Sequence, residues 1–211
     1  MDGLAYCVVL FSGGYLLGSI PFGIVVCRAM GMPDPRTAGS KNIGFTNVLR
    51  IAGKPAGVLT LIGDMGKGWV TGWSAGLWLS EPWWVLAVAF ASVLGHLFPV
   101  FLAFKGGKGV ATALGAVLGV APTIGGVLVG TWLFVAAVWR YSSGAAIAAF
   151  AALPIIALWN GNVPFLVFGL CVSVMILSRH RSNMTRLLAG TEPKIGARAT
   201  SQPDTTPQSS P

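Results

Sequence analysis

Charge is what this chain has least of. Asp, Glu, Lys and Arg make up 9% of its 211 residues, against about 25% in a soluble domain. Such a shortage excludes an ordinary soluble fold unless the apolar runs are too short to cross a bilayer. Cysteine is scarce as well: Cys7, Cys27 and Cys171 are an odd, scattered set with no Cys-x-x-Cys pair. That argues against both a disulfide framework and a zinc site, and leaves these thiols as packing residues of apolar segments. The first apolar run has no basic stretch before it and no small-residue cleavage site after it, so it reads as a retained span rather than a signal peptide. The basic residues are scattered over short loops with no recognisable binding module, which sets nucleic acid aside as a partner.

What is abundant is grease and glycine. Hydrophobic residues are 54% of the chain, glycine supplies 29 positions, and the mean hydropathy is +0.74. Residues 4–27, 83–104 and 109–139 contain no Lys, Arg, Asp or Glu, and each is long enough to cross about 30 Å of hydrocarbon as a helix. The glycine excess fits helices that approach closely in lipid. The fold class expected is therefore an all-α polytopic membrane protein. A net charge of +8 suits anionic headgroups or an anionic substrate.

In chain order, the first span covers about 4–27 and carries Pro21, where a kink or unwinding is expected. A polar loop over 28–54 follows. The second span, about 55–79, carries Asp64 and Lys67, which can pair at i, i+3. The third ends near Phe104, and its His96 is expected to make a structural helix–helix hydrogen bond. Run 109–139 is either one overlong helix or a hairpin turning near Gly119-Val120-Ala121-Pro122. Two more spans, about 144–159 and 163–178, meet at Asn160-Gly161-Asn162. Loop 28–54 holds five Lys or Arg, loop 105–108 two, Arg140 one and the tail five, whereas loops 80–83 and 160–162 hold none. Only the hairpin keeps every basic loop on one side. This predicts seven helices, some short or broken, with the N-terminus outside and the C-terminus cytoplasmic.

Three polar clusters then gather on the cytoplasmic side. In the first, Ser40 or Asn42 is a natural N-cap, and Asn42, Thr46 and Arg50 share a helical face that offers amide, hydroxyl and guanidinium donors to a phosphate. In the second, Lys105, Gly106, Gly107 and Lys108 form a Gly-rich loop opening a helix, able to curl N–H groups around an anion. It is not a nucleotide-binding P-loop, because Gly109 stands where Ser or Thr should bind magnesium and no strand precedes it. In the third, His180, Asn183 and Leu187 fall on one stripe with Arg186 at its edge. Taken singly, the second reads equally well as a turn whose lysines snorkel to headgroups and the third reads better as a positive-inside anchor; together the clusters point to an anion site.

Five segments in sequence carry a resemblance: Gly-Ser-Ile-Pro-Phe-Gly at 18–23, Gly-Ser-Lys-Asn-Ile-Gly-Phe-Thr-Asn-Val-Leu-Arg at 39–50, Gly-His-Leu-Phe-Pro-Val-Phe at 95–101, Phe-Lys-Gly-Gly-Lys-Gly-Val-Ala-Thr at 104–112 and His-Arg-Ser-Asn-Met-Thr-Arg-Leu-Leu-Ala-Gly-Thr-Glu at 180–192. The chain resembles the bacterial membrane acyl-phosphate:glycerol-3-phosphate acyltransferases, the PlsY family, over residues 1 to about 196. The resemblance implies a seven-helix, multi-pass enzyme of the bacterial inner membrane with its active site facing the cytoplasm. Its reaction would join a fatty acyl group from acyl phosphate to the 1-hydroxyl of glycerol 3-phosphate, giving lysophosphatidic acid and phosphate as the first step of phospholipid synthesis. It implies catalytic roles for Ser40, Arg50 and His180, and substrate binding by Asn42, Thr46, Asn47, Lys105, Gly106, Gly107, Lys108, Asn183 and Arg186. Glycerol 3-phosphate is expected at Ser40, Arg50, Lys105 and His180, with acyl phosphate near the amides and glycine N–H groups. No cofactor and no metal are implied; membrane lipid and an acyl-phosphate-producing enzyme are the expected partners. Phe45 stands where a small residue is expected.

The chemistry agrees with that implication. Acyl phosphate is already activated, so bringing two anions together is the main task, with His180 or a substrate phosphate oxygen as base. The His-x4-Asp pair of thioester-dependent acyltransferases is absent: Phe101 lies five after His96 and Thr185 five after His180. A rival class, an organic-anion transporter, would suit the broken helices and the Asp64–Lys67 pair, but no inverted repeat is apparent. The domain expected is residues 1–198, followed by a disordered polar tail at 199–211.

Overall fold

Away from water each backbone N–H and C=O needs a partner within the chain, which for a single segment means a helix. The computed structural model describes residues 3–196, and among them every regular element is helical. The helices are α1 (Gly3–Gly18), α2 (Phe22–Ala29), α3 (Phe45–Trp78), α4 (Pro82–Leu97), α5 (Val110–Val120), α6 (Pro122–Trp139), α7 (Ser142–Asn160), α8 (Val163–Arg179) and α9 (Arg181–Leu188), with a 3-10 turn at Val100–Leu102. The expected polar tail at 199–211 lies outside the described residues.

The breaks fall where local chemistry puts them. Pro21 separates α1 from α2 with a 45° bend. In α3 the break is at Gly53 (φ 83°, ψ −178°), which lets Pro55 sit in the first turn of the second piece, where its missing N–H costs nothing. Run 109–139 does fold back: α5 ends before Ala121 and Pro122 opens α6. A β-carbon on Gly125 would press on the backbone of Leu118, a contact that only a tight reversal permits. The third span is shorter than its apolar run. It stops at Leu97, so His96 lies in the last turn of α4 rather than two turns deeper. Finally, α9 turns 60° away from α8.

Glycine sets the central packing. Gly68 and Gly72 of α3 face Gly115 and Gly119 of α5, and β-carbons there would meet the carbonyls of Thr112, Ala116, Met65 and Trp69. This is the small-xxx-small contact of membrane helices, written on both partners. The same holds for α1 against α4, where Gly18 sits on Ser92 and Gly95 on Tyr15. Leu97, Val117, Leu128, Phe150, Leu153 and Ile176 form the buried core between α4, α5, α6, α7 and α8. Outward, large apolar side chains such as Ile62, Trp78, Phe134, Ile155 and Val174 are exposed, an arrangement suited to lipid and costly in water. Among the described residues, three helices are long and apolar enough to cross a membrane alone, and up to five if each bent pair counts as one span.

One ion pair is buried in this apolar body. Lys67 Nζ lies 2.9 Å from Asp64 Oδ1 and donates at 2.7 Å to the Ile20 carbonyl, which the break before Pro21 leaves without a helical donor. His96 Nδ1 stands 3.4 Å from the same Asp64 oxygen but makes no hydrogen bond there, so the expected helix–helix hydrogen bond is replaced by a close approach of α4 to α3. All three side chains are nearly inaccessible. Removing one member of such a pair strands a charge, at a typical cost of about 3–5 kcal/mol. Lys67→Met should therefore lower the thermal unfolding temperature in detergent markedly. The double change Asp64→Asn with Lys67→Met should recover part of that loss, leaving the Ile20 carbonyl with the Phe22 N–H at 3.1 Å as its remaining donor. A single variant as stable as the parent would refute this reading of the pair.

Candidate active site

The loop before α3 is built by one side chain. Asn47 is almost fully buried, and its amide reaches back over the loop. Its Oδ1 accepts the Ser40 N–H at 2.8 Å, and its Nδ2 donates to the carbonyls of Pro35 (2.9 Å), Asn42 (2.9 Å) and Ala38 (3.1 Å). With two N–H bonds for three acceptors, one is shared. Gly39 and Lys41 adopt positive φ of 61° and 55° to make the turn, and a β-carbon on Gly39 would strike Asn47 Oδ1. Further out, Arg36 Nη2 donates to Asp34 Oδ2 at 2.6 Å. The Arg36 hydrogen bonds hold the Asp34 carboxyl below its ordinary range against a small opposing effect of burial.

Two expectations change here. Asn42 is not on a helical face with Thr46 and Arg50, because α3 starts only at Phe45 with Gly44 as its N-cap. Asn42 instead closes a local turn, its Oδ1 accepting the Gly44 N–H at 2.9 Å. Nor does Ser40 or Asn42 cap α3, since Gly44 takes that place; Asn47 lines the cavity while its amide is bonded within the loop.

All three polar clusters nevertheless meet around one cavity of about 230 Å³. Ser40, Asn42, Thr46, Asn47 and Arg50 line it from the first, Lys108 from the second, and His180, Asn183 and Arg186 from the third. Thr46 Oγ1 is 2.8 Å from Ser142 Oγ, tying α3 to α7 at the rim. Asp64 and His96 lie on the polar floor, while Leu61, Met65, Leu114, Val129, Trp132 and Leu133 form an apolar arm between α3, α5 and α6.

The glycine loop is used differently from the expectation. Gly106 and Gly107 do not line the cavity. They cross the end of α4, where the Gly107 N–H donates to the His96 carbonyl at 3.1 Å and β-carbons would collide with His96. Glycine is required there for close passage over α4. Lys105 is exposed outside the cavity. Lys108 alone of this group points in, donating a short hydrogen bond to Asn183 Oδ1. Burial, with Arg186 and Arg50 nearby and Glu192 opposing them, brings its ammonium pKa down to about 8.

His180 joins α8 to α9 and is buried. Its Nδ1 lies 2.8 Å from the Ile176 carbonyl. A carbonyl can only accept, so Nδ1 carries the hydrogen and Nε2 keeps a free lone pair. Burial, helped by Lys108, pushes its pKa down to about 4, and the ring is neutral at physiological pH.

Sequence reasoning missed Glu192 and the two serines opening α7. The Glu192 carboxylate accepts from Ser143 Oγ (2.6 Å), Asn183 Nδ2 (2.6 Å) and Arg186 Nε (2.7 Å). Burial alone would raise this carboxyl, but those three donors outweigh it and hold it below the usual range. Asn183 is thereby oriented, with its carbonyl toward Lys108 and its NH2 toward Glu192. The segment carrying Glu192 is tied down by Ile195 N to Arg140 O at 2.7 Å. A lone acid closing a cationic run was the available signal. Among the described residues no three His, Cys, Asp or Glu side chains converge to hold a metal ion. The site offers cationic and hydroxyl donors, a neutral imidazole acceptor among them, and apolar side chains in the same lining.

A family model described as glycerol-3-phosphate acyltransferase matches residues 8–190. The glycerol-3-phosphate acyltransferase of Thioalkalivibrio sulfidiphilus is 49% identical over 194 residues, covering 92% of this chain and 95% of that one. That of Bordetella petrii is 47% identical over 202 residues, covering 90% and 93%. Among solved structures, PlsY (YgiH), an integral membrane glycerol 3-phosphate acyltransferase, is similar in its glycerol 3-phosphate form with a TM-score of 0.84, 40% identity and coverage of 90% of this chain and 96% of that one. Its lysophosphatidic acid form gives a TM-score of 0.81, 38% identity and coverage of 90% and 95%.

The role of Asn47 can be tested directly. Asn47→Leu keeps the volume but strips the loop of its central acceptor and donor, each lost bond being worth about 1 kcal/mol. Amide exchange across residues 36–42 should quicken by at least about tenfold, with exchange in α7 and α8 unchanged. Unaltered exchange in the loop would show that Asn47 does not hold it.

Proposed function

The chain belongs to the glycerol-3-phosphate acyltransferase family, and on that premise we propose that it transfers a fatty acyl group from acyl phosphate to the 1-hydroxyl of sn-glycerol 3-phosphate, releasing lysophosphatidic acid and inorganic phosphate. The carrying observation is the lining of one cavity, which combines cations and hydroxyls of the three polar clusters with apolar side chains of α3, α5 and α6. A lipid anion and a polar anion meet there at a junction where acyl transfer would occur. The site is read as Ser40, Arg50 and His180 acting on the reacting groups, with Asn42, Thr46, Lys108, Asn183 and Arg186 around the phosphates. Lys105 attracts anions from outside the cavity, and Gly106, Gly107 and Asn47 shape the loops that present the donors.

In the reaction the substrate hydroxyl oxygen bonds to the acyl carbon, the bond from that carbon to the phosphate oxygen breaks, and the hydroxyl proton must leave. His180 is well placed to accept a hydrogen bond from the hydroxyl and orient it. As a base it is weak: its pKa of about 4 lies below the second pKa of a phosphate, about 6. The proton therefore comes to rest on phosphate. Lys108 and Arg50 balance the negative charge as it moves from the acyl carbonyl to the leaving group.

The fold is read as seven membrane-crossing units, counting α1 with α2 as a single broken span and placing α9 beyond the cytoplasmic end of α8, with residues 1–198 as one domain. Charge asymmetry of the loops supports an outside N-terminus and a cytoplasmic C-terminus in the inner membrane. Acyl phosphate hydrolyses readily, so a partner enzyme that makes it nearby fits the chemistry.

The reaction is tested by incubating the purified protein with acyl phosphate and glycerol 3-phosphate and measuring phosphate and lysophosphatidate; absence of both products would overturn the reading. Ser40→Ala, Arg50→Ala and His180→Ala should each cut turnover by at least about 10²-fold without loss of the folded, monodisperse state. Full activity in all three would remove the site assignment. The reaction needs the charged form of Lys108, so kcat/KM should fall as pH rises through about 8.

A further inference from the structure

Arg179 is the last residue of α8, next to His180, and so far has no part in the site. Its guanidinium is half-buried and forms no ion pair with an acid among the described residues. Nη2 donates to the Leu97 carbonyl at 2.8 Å and to the Gly106 carbonyl at 3.5 Å, and Nε donates to the Gly107 carbonyl at 3.3 Å. The plane also lies over the Phe98 ring, its Cζ 5.3 Å from the ring centroid. One rigid fork thus holds the unpaired end of α4 and the two glycines that cross it. Lys108 is the very next residue, with only its own Cα, Cβ and stem between that anchor and the cavity.

Resting on the site reading above, we propose that Arg179 is a positioning residue for the transfer reaction: by clamping the carbonyls of Leu97, Gly106 and Gly107 it fixes the glycine loop so that the Lys108 ammonium is held in the cavity beside His180. The same side chain sets both neighbours, since Lys108 follows the loop it grips and His180 follows it in the chain. An acid could have held the loop only through N–H groups, and a lysine only at one point. The Arg fork reaches three carbonyls on two sides of the turn.

The clamp also accounts for the environment of Lys108. The charged and titratable groups around that ammonium are Arg50 and Asp64 from α3, His96 from α4, His180 after α8, Arg186 from α9 and Glu192 from the closing segment. Burial is the main cause of its lowered pKa, and burial requires that the loop stay seated. With the clamp gone, water reaches the ammonium and its pKa climbs toward the ordinary 10.5.

The test compares the full chain with Arg179→Gln and Arg179→Lys in detergent or nanodiscs. The pH dependence of Lys108 acylation by an amine-directed reagent is read by peptide mass spectrometry, alongside the pH profile of kcat/KM with acyl phosphate and glycerol 3-phosphate. The parent should label Lys108 with a midpoint near 8. In Arg179→Gln that midpoint should rise by about one unit or more, the alkaline limb of kcat/KM should move with it, and kcat/KM at neutral pH should fall at least about tenfold. Arg179→Lys keeps the charge but loses the fork, and should shift in the same direction by less. If Arg179→Gln fails to fold, Arg179→Lys decides the matter. An unmoved Lys108 midpoint and an unmoved limb, whatever the total activity, would make Arg179 a stability residue and overturn the proposal. If the parent transfers no acyl group, the function above fails, and the labelling midpoint still tests the clamp.

Discussion

A carbonyl released by a broken helix inside an apolar body has no water to turn to, and the site of this protein is assembled from the donors such carbonyls recruit. At the first break the Ile20 carbonyl takes Lys67. At the end of α4 the His96 carbonyl takes the Gly107 N–H, and the Leu97 carbonyl takes Arg179. At the end of α8 the Ile176 carbonyl takes His180. Every one of these donors is either part of the cavity wall or adjacent to a residue that is. Breaking a helix in lipid is expensive unless a neighbour re-satisfies the backbone, so the breaks and the polar residues must be specified together.

The same constraint sorts the cations. Lys67 and Arg179 serve backbone carbonyls, Arg186 serves Glu192, and Arg36 serves Asp34. Among the described residues, Arg50 and Lys108 are the cavity-lining cations with no ion pair of their own. On the proposed function, they are the ones that meet an incoming phosphate. Glu192 matters through what it withholds: by occupying Arg186 and one face of Asn183 it leaves Lys108 as the donor facing inward. His180 completes the set as a neutral acceptor among positive groups, a state that burial and Lys108 both favour.

Much of this was legible in the sequence. Pro21 announced the first break, and Gly119-Val120-Ala121-Pro122 announced the α5–α6 reversal, because proline and glycine act on the backbone locally. Convergence of the three clusters followed from counting basic loops. The failures were of a different kind. The Asn42–Thr46–Arg50 face assumed that a helix begins at its best capping residue, whereas the Asn42 side chain closed a turn of its own and α3 began after it. Gly106 and Gly107 carry a pattern suited to anions, yet their lack of side chains serves a crossing of α4 that only the tertiary fold reveals. Arg179 looks like any positively charged helix end, because nothing in one dimension distinguishes a headgroup anchor from a clamp on carbonyls 72 to 82 residues away.

The apolar arm of the cavity does not end in the protein. Leu133 belongs both to the cavity lining and to the exposed face of α6, so the arm opens sideways toward whatever hydrocarbon surrounds the molecule. A substrate with a fatty tail then partitions first and binds second, and its governing concentration is its mole fraction among surrounding amphiphiles rather than its amount per litre. Bulk lipids and detergent tails compete for the same arm. Apparent affinities for the lipid substrate will scale with surface dilution, whereas those for the water-soluble one will not, which makes the choice of solubilising agent a kinetic variable of this enzyme.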